Sequence, residues 1–207
     1  MQKLLLSVVA IIALLAGIAI YNWLPQEQPK ALVYEPARTI APFTLDGSDG
    51  QLVDNSDLEG QWTLLFTGYT FCPDICPTTM ADLRRILPEL QEHSVVPVRV
   101  WMISVDPQRD DVERLQKYTR FFGENFYGVR AEHQRLYPFV NGLGLMYSIP
   151  AEGETDYLVN HSAAIILVNP AGNLQAIFKA EHVIGEIPTV SMEQLAHDFD
   201  IIARRFH

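Results

Sequence analysis

Two compact apolar runs, Trp62 to Phe66 and Val95 to Val105, constrain the fold of this chain more than any other feature, because a helix-spaced segment separates them. Runs of this kind suit strands buried within a sheet. Between them, Met80, Leu83, Ile86, Leu87 and Leu90 recur at helical intervals over 78–90. Pro77 fits the first helical position, and Pro88 is expected to kink or stop the helix. A strand, a crossover helix and a second strand imply parallel neighbours in one sheet.

The flanking sequence adds antiparallel elements and more helices. Phe43 to Leu45 and Gln51 to Val53 enclose a turn-rich stretch, Asp46-Gly47-Ser48-Asp49-Gly50, and read as a short hairpin. Asp110 is placed to cap a helix running to about Phe122, and Ala131 to Gly142 suggests another. Ala163 to Val168 and Leu174 to Phe178 bracket Asn169-Pro170-Ala171-Gly172-Asn173, a strong hairpin signal. Ser191 to Arg205 closes the chain as an amphipathic helix capped by Ser191. The expected class is α/β, a mixed sheet flanked by helices.

Ahead of this domain, Lys3 precedes an unbroken apolar run from Leu4 to Ile20 that continues through Tyr21, Trp23 and Leu24. That is about 20 residues, or roughly 30 Å of helix, enough to cross a bilayer core. The next basic residue is Lys30, so the positive-inside rule puts the N-terminus in the cytoplasm and the rest outside. A cleaved signal peptide is the rival, but no small-residue cleavage pattern closes the run. The expected layout is an anchor over 1–24, an extended Pro-rich linker over 25–36 and a folded domain over 37–207. Without an Arg- and Ser-rich transit segment, the expected setting is a bacterial inner membrane with the domain facing the periplasm or outer side.

A formal net charge of −10 with scattered Lys and Arg excludes the basic stripe a nucleic-acid binder needs. An acidic surface instead suits a basic partner or a cation. Glu152 to Asp156 reads as a solvated loop that could steer such a partner.

The chain has only two cysteines, four positions apart. A secreted domain stabilised by disulfides would carry more, so the pair is read as chemical rather than architectural. Cys72 and Cys76 fall where a buried strand passes through a loop into a helix, and the positive end of the helix dipole favours thiolates there. Two such thiols can form a disulfide or clasp a soft ion such as Cu(I) or zinc. His161 lies just before the Ala163 to Val168 strand. Its position alone leaves open whether it is a ligand or a packed structural residue.

Cys72-Pro73-Asp74-Ile75-Cys76-Pro77 after Gly68-Tyr69-Thr70 resembles the Sco/SenC family of thioredoxin-like copper proteins. Ser104 to Asp110 and Asp156 to Ser162 resemble two further segments of that family, the second bearing its histidine ligand. The resemblance covers roughly 37–205 and the anchor. It implies a thioredoxin-like sheet, with Cys72, Cys76 and His161 as ligands for Cu(I) and with Cu(II) as a second oxidation state. It implies service to the dinuclear copper site of cytochrome c oxidase subunit II, by copper delivery or thiol preparation, with an exported copper donor upstream. Oxidation to a Cys72–Cys76 disulfide would release the metal. Thioredoxin-like redox enzymes carry a cis-proline before the corresponding strand, and 160–166 has none. That favours a metallochaperone over the alternative, a membrane-anchored thiol–disulfide oxidoreductase. Asn160 stands where relatives often have Asp, which removes a charge beside His161.

Other residues carry more than one reading. Asp74 is either an outer partner of the site or a helix cap, and Asp106 either an acidic neighbour of the site or ordinary turn chemistry. A peroxide-reducing thiol enzyme would need an arginine near the attacking cysteine, for which Arg84 and Arg109 are candidates. His93, His133, His182, His197 and His207 lack ligand spacing. Met80 and Met102 fit the core.

Overall fold

The computed structural model describes residues 2–23, 27–151, 153–154, 157–181, 185 and 187–206, without the side chains of 2–5, 8 and 18–23. A helix, α1 (Gln2–Trp23), precedes a domain with the order β1 (Leu32–Arg38), β2 (Thr44–Gly47), β3 (Leu52–Asp54), β4 (Trp62–Gly68), α2 (Ile75–Glu92), β5 (Val98–Ser104), α3 (Val112–Phe122), β6 (Phe126–Arg130), α4 (His133–Gly142), β7 (Ile165–Val168), β8 (Leu174–Phe178) and α5 (Met192–Arg205). The strands form one mixed sheet in the order β1-β8-β7-β4-β5-β6-β2-β3. β4, β5 and β6 run parallel, and every other pairing is antiparallel.

The central register positions the site. Trp62 pairs with Val98 and Gly68 with Ser104, so β4 and β5 end side by side. The chain leaving β4 and the chain leaving β5 therefore emerge together at the carboxyl ends of the strands, where open α/β sheets place their ligands. β7 runs against β4, pairing Ile166 with Leu65, so the segment before β7 returns to the same edge. β4 is wholly buried. Each large aliphatic or aromatic side chain removed from water there stabilises the fold by about 1.5–3 kcal/mol.

The two faces of the sheet hold two cores. Met80, Leu83 and Leu90 of α2, Leu115 and Phe122 of α3, and Leu195 and Phe199 of α5 pack with Leu64, Phe66 and Met102. Leu136, Phe139 and Val140 of α4 pack with Leu65, Trp101 and Ile103 on the other face, which also takes in Cys72 and Cys76.

The structure departs from the sequence reading in four places. Residues 32–36, expected within the linker, lie in β1 at the sheet edge, paired with β8. An edge strand tolerates Pro36, which has no N–H to give a neighbour. β6 was not expected, because Gly128 interrupts its apolar run; that glycine lets α3 close, since a Cβ there would lie 2.4 Å from Leu115 Cγ. α2 continues past Pro88 to Glu92. Pro88 is exposed, so the carbonyl it leaves unpaired faces solvent. Asp111, not Asp110, caps α3 by accepting from Arg114 N at 2.7 Å.

The helical run expected at the N-terminus is present as α1, 22 residues long. Among the described residues no helix is long and apolar enough to cross a membrane, and much of the side-chain content of α1 lies outside that set. Leu24, Pro25, Glu152, Asp156, His182 and His207 also lie outside the described residues.

Candidate metal centre

The cysteine loop begins where β4 runs out of sheet. Gly68 sits against the thiol of Cys76, where a Cβ would meet Cys76 Sγ at 3.3 Å and Met102 Sδ at 3.2 Å. Thr70 is pinned by Asp110, whose carboxylate accepts from Thr70 N at 3.0 Å, Thr70 Oγ1 at 2.5 Å and Ser104 Oγ at 2.6 Å. Asp110 is fully buried, and that burial pushes its carboxyl up from the ordinary value against the hydrogen bonds that hold it down. The loop then turns at Tyr69–Cys72 and enters α2, with Cys76 in the first turn. Asp74 occupies the capping position, but its side chain makes no capping bond.

Cys72 and Cys76 are free thiols, 8 % and 1 % exposed. Cys76 N donates to Cys72 Sγ at 3.4 Å. A hydrogen bond from the Cys76 thiol, aided by the His161 ring and by the backbone N–H groups of Cys76 and Asp74, pulls Cys72 down to about 4 despite its burial. The same bond, burial and the neighbouring negative charge push Cys76 up. The metal-free pair at neutral pH is therefore one thiolate, on Cys72, and one thiol.

His161 arrives from the other side. Its Nδ1 lies 3.1 Å from the Ser162 carbonyl, which can only accept, so Nδ1 carries the ring proton. Nε2 is left bare and faces Cys76 Sγ at 3.6 Å. Thr67 Oγ1 donates to the same carbonyl at 2.9 Å and touches Nδ1 at 3.4 Å. Tyr69 stands edge-on to the imidazole, 6.0 Å between centroids, and its hydroxyl accepts from Val159 N at 3.3 Å.

The ligand atoms of Cys72, Cys76 and His161 all lie within 4.8 Å of one another. A metal about 2.3 Å from sulfur and about 2.0 Å from nitrogen, with about 120° between them, separates those atoms by about 3.7 Å. The 3.6 Å between Cys76 Sγ and His161 Nε2 matches that spacing, and Cys72 Sγ lies within 4.8 Å of both. Among the described residues no other group of three or more His, Cys, Asp or Glu side chains could hold a metal.

The remaining sequence candidates have other partners. Asp106, 1 % exposed, accepts from Tyr157 Oη at 2.8 Å and Arg109 Nε at 2.5 Å, so it is both a turn residue and a buried anchor. Arg84 is exposed on α2. His93 meets Asp200, His133 meets Tyr147, and His197 meets Glu27. Met80 and Met102 are fully buried core. Exposed Asn160 is joined to Ser148 through its main chain. Sequence reasoning missed Thr67, Tyr69, Asp110 and Tyr157 as supports of the site. A polar Thr67 directly after the apolar run Leu64-Leu65-Phe66 was the available signal.

Fold and site together define a thioredoxin-like α/β protein that gathers two thiols and an imidazole at the carboxyl ends of its central strands. The SCO1/SenC family model matches residues 33–195, and the chain belongs to that family. A Stutzerimonas stutzeri protein named for copper binding is 32 % identical over 154 residues, covering 74 % of this chain and 76 % of that one. The mitochondrial SCO1 homolog 1 of Arabidopsis thaliana is 32 % identical over 146 residues, covering 70 % of this chain and 44 % of that longer protein. The crystal structure of Arabidopsis thaliana ScoI with copper bound superposes with a TM-score of 0.70 at 30 % identity, covering 81 % of this chain and 99 % of that one.

Proposed function

We propose that this protein is a copper chaperone for cytochrome c oxidase assembly, taking Cu(I) on Cys72, Cys76 and His161 and delivering it to the dinuclear copper site of oxidase subunit II. The observation that carries this reading is the convergence of bare His161 Nε2 and the two sulfurs on one point. Two thiolates and a neutral imidazole suit Cu(I) better than a hard ion, and zinc would normally require a fourth ligand. The copper-bound Arabidopsis relative supports the choice of metal. BsSco, which shares the fold, is named a member of the Sco family of cytochrome c oxidase assembly proteins, and shared family membership supports a role in that assembly.

Delivery is a ligand exchange. Thiols of the acceptor replace His161 and the cysteines in turn; one of the acceptor's protons returns to Cys76, and the others pass to solvent. The test is anaerobic titration of the reduced full chain, in detergent, with Cu(I) against a chromophoric chelator. One ion bound per chain is expected, weakened about a hundredfold or more by His161→Ala. The loaded protein should then pass its copper to metal-free subunit II domain. Binding indifferent to His161 would overturn the ligand set, and copper that stays put would overturn the delivery.

One observation favours a second activity at the same atoms. Cys72 is the ionised and more exposed sulfur, and Cys76 the protonated, buried one, an arrangement of attacking and resolving thiols. Cys72 would attack one sulfur of a partner disulfide, and the partner's other sulfur would leave as a thiolate. Cys76 would then lose its proton and attack Cys72 Sγ, closing the Cys72–Cys76 disulfide and expelling the partner's first sulfur as a second thiolate. Two electrons pass to the partner, whose thiols are thereby prepared for copper. Reduction of a subunit II disulfide by the metal-free dithiol is the measurement, and no reduction would remove this reading.

α1, at about 1.5 Å per residue roughly 33 Å long, would anchor the domain to the outer side of a bacterial inner membrane. Residence in the membrane pellet after alkaline extraction, with the domain open to external protease, is the expected result.

A further inference from the structure

Beside the Tyr69–Val159 and Thr67–Ser162 hydrogen bonds, the two halves of the site are bridged by a charged side chain that ligates nothing. Arg109 leaves the segment after β5, and its guanidinium lies 3.7 Å from the centroid of the Tyr157 ring. It also lies 4.9 Å from the ring of Phe71 and 5.7 Å from that of Tyr69. Phe71 and Tyr69 belong to the cysteine loop, Phe71 being the residue directly before Cys72. Tyr157 begins the segment that runs to His161. A single planar cation therefore touches both halves of the metal centre at once.

Arg109 is itself fixed. Nε donates to Asp106 Oδ2 at 2.5 Å, and Tyr157 Oη donates to the other oxygen of the same carboxylate at 2.8 Å. The Asp106 side chain is 1 % exposed and that of Arg109 19 % exposed, so water does little to loosen the pair. A guanidinium can stack on aromatic faces and donate in its plane together, which lysine cannot. Arg114 lies on Phe71 as well, at 4.7 Å, steadying the loop end of the bridge.

Resting on the copper-binding reading above, we propose that Arg109 is a positioning residue that holds the Cys72 loop and the His161 segment in register, so that the imidazole meets the sulfurs before any ion arrives. Its effect on copper runs through His161. The half-site without the imidazole needs no such register, because both cysteines belong to one loop and one helix start.

The test is a double-mutant cycle on the full chain in detergent, with Cu(I) affinity read by chelator competition. Arg109→Gln is expected to weaken binding about tenfold when His161 is present, the size usual for supports of a metal ligand. In the His161→Ala background it should change affinity less than about threefold. Equal losses in both backgrounds, or no loss in the first, would overturn the proposal. Phe71→Leu, which removes only the stack at the loop end, carries the same cycle where Arg109→Gln fails to fold by circular dichroism. A second readout uses no copper: in the metal-free protein, alkylation of Cys72 should be several-fold faster in either variant. An unchanged alkylation rate would overturn the positioning role. A wild-type chain that binds no copper would instead remove the cargo assignment.

Discussion

Cys72 and Cys76 stand on a strand–loop–helix junction whose shape is set by neighbours in sequence, whereas His161 stands on 157–164, a stretch with no helix or named strand and a single bridge to Tyr147. The thiol half is held by the first turn of α2, by the close approach at Gly68 and by the Asp110 anchor under Thr70. The imidazole half is held by contacts with distant elements: Val159 to Tyr69, Ser162 to Thr67, and Met146 and Ser148 to Ser162 and Asn160. The first half combines a local helix start with the non-local Asp110 anchor, whereas the second has no helix or strand of its own and rests on several non-local hydrogen bonds. Loss of a thiol should therefore destroy the centre, while loss of a support for the imidazole should degrade it.

The largest effect expected is from Cys76→Ser, which leaves one thiolate and one imidazole. Cu(I) affinity should fall roughly a thousandfold, about 4 kcal/mol, and exceed the loss from His161→Ala. A smaller loss than that of His161→Ala would invert the comparison.

Next comes pH. Because Cys76 is pushed up, it keeps its proton at neutral pH and must lose it to bind a metal. Cys72, pulled down to about 4, is already ionised and contributes no proton in this range. Binding therefore releases one proton, and affinity should rise about tenfold per pH unit, or about a hundredfold from pH 7 to 9. A slope of two would mean that both sulfurs enter as thiols, and a flat profile that both are already thiolates.

Thr67→Val tests the imidazole half by itself. It removes the hydroxyl that shares the Ser162 carbonyl with His161 Nδ1 and keeps the shape of a β-branched strand residue. Affinity should fall about tenfold with the metal-free fold unchanged. An effect as large as that of His161→Ala would mean that the imidazole has no other support.

The same division governs what could be read from sequence. The βαβ unit, the closing hairpin and the cysteine loop were legible because apolar spacing and turn residues are local signals, as in Trp62–Gly68 and Asn169 to Asn173. β1 was hidden because Pro36 suggested a linker, and only pairing with β8 makes those residues a strand. β6 was hidden because Gly128 is explained only by Leu115 of the helix that covers it. His161 could be placed before a strand, and a family resemblance could mark it as a ligand. Its tautomer could not be read, because that depends on a carbonyl held by Thr67, far away in sequence. The bridge through Arg109 was equally invisible, since it joins positions 71, 109 and 157.

The smallest expected effect concerns the anchor of the thiol half, and its sign follows from burial. Asp110 has a folded pKa raised above the ordinary carboxylate value, with desolvation the largest cause. The folded state therefore binds its proton more tightly than the unfolded state does. The stability this gives is fully present below the unfolded pKa and is lost as pH rises through the folded one. Asp110→Asn stays neutral throughout and keeps an oxygen for Thr70 to donate to, while Ser104 Oγ can turn to accept from the new amide. Thermal unfolding of metal-free protein from pH 3 to 7 should therefore show the variant gaining on the wild type as pH rises. Copper affinity should stay within about threefold, because the cysteine loop keeps its anchor. The opposite trend would mean that the buried charge, rather than the hydrogen bonds to Thr70 and Ser104, holds the loop, and the thiol half would then depend on a distant electrostatic contact as the imidazole half depends on its hydrogen bonds.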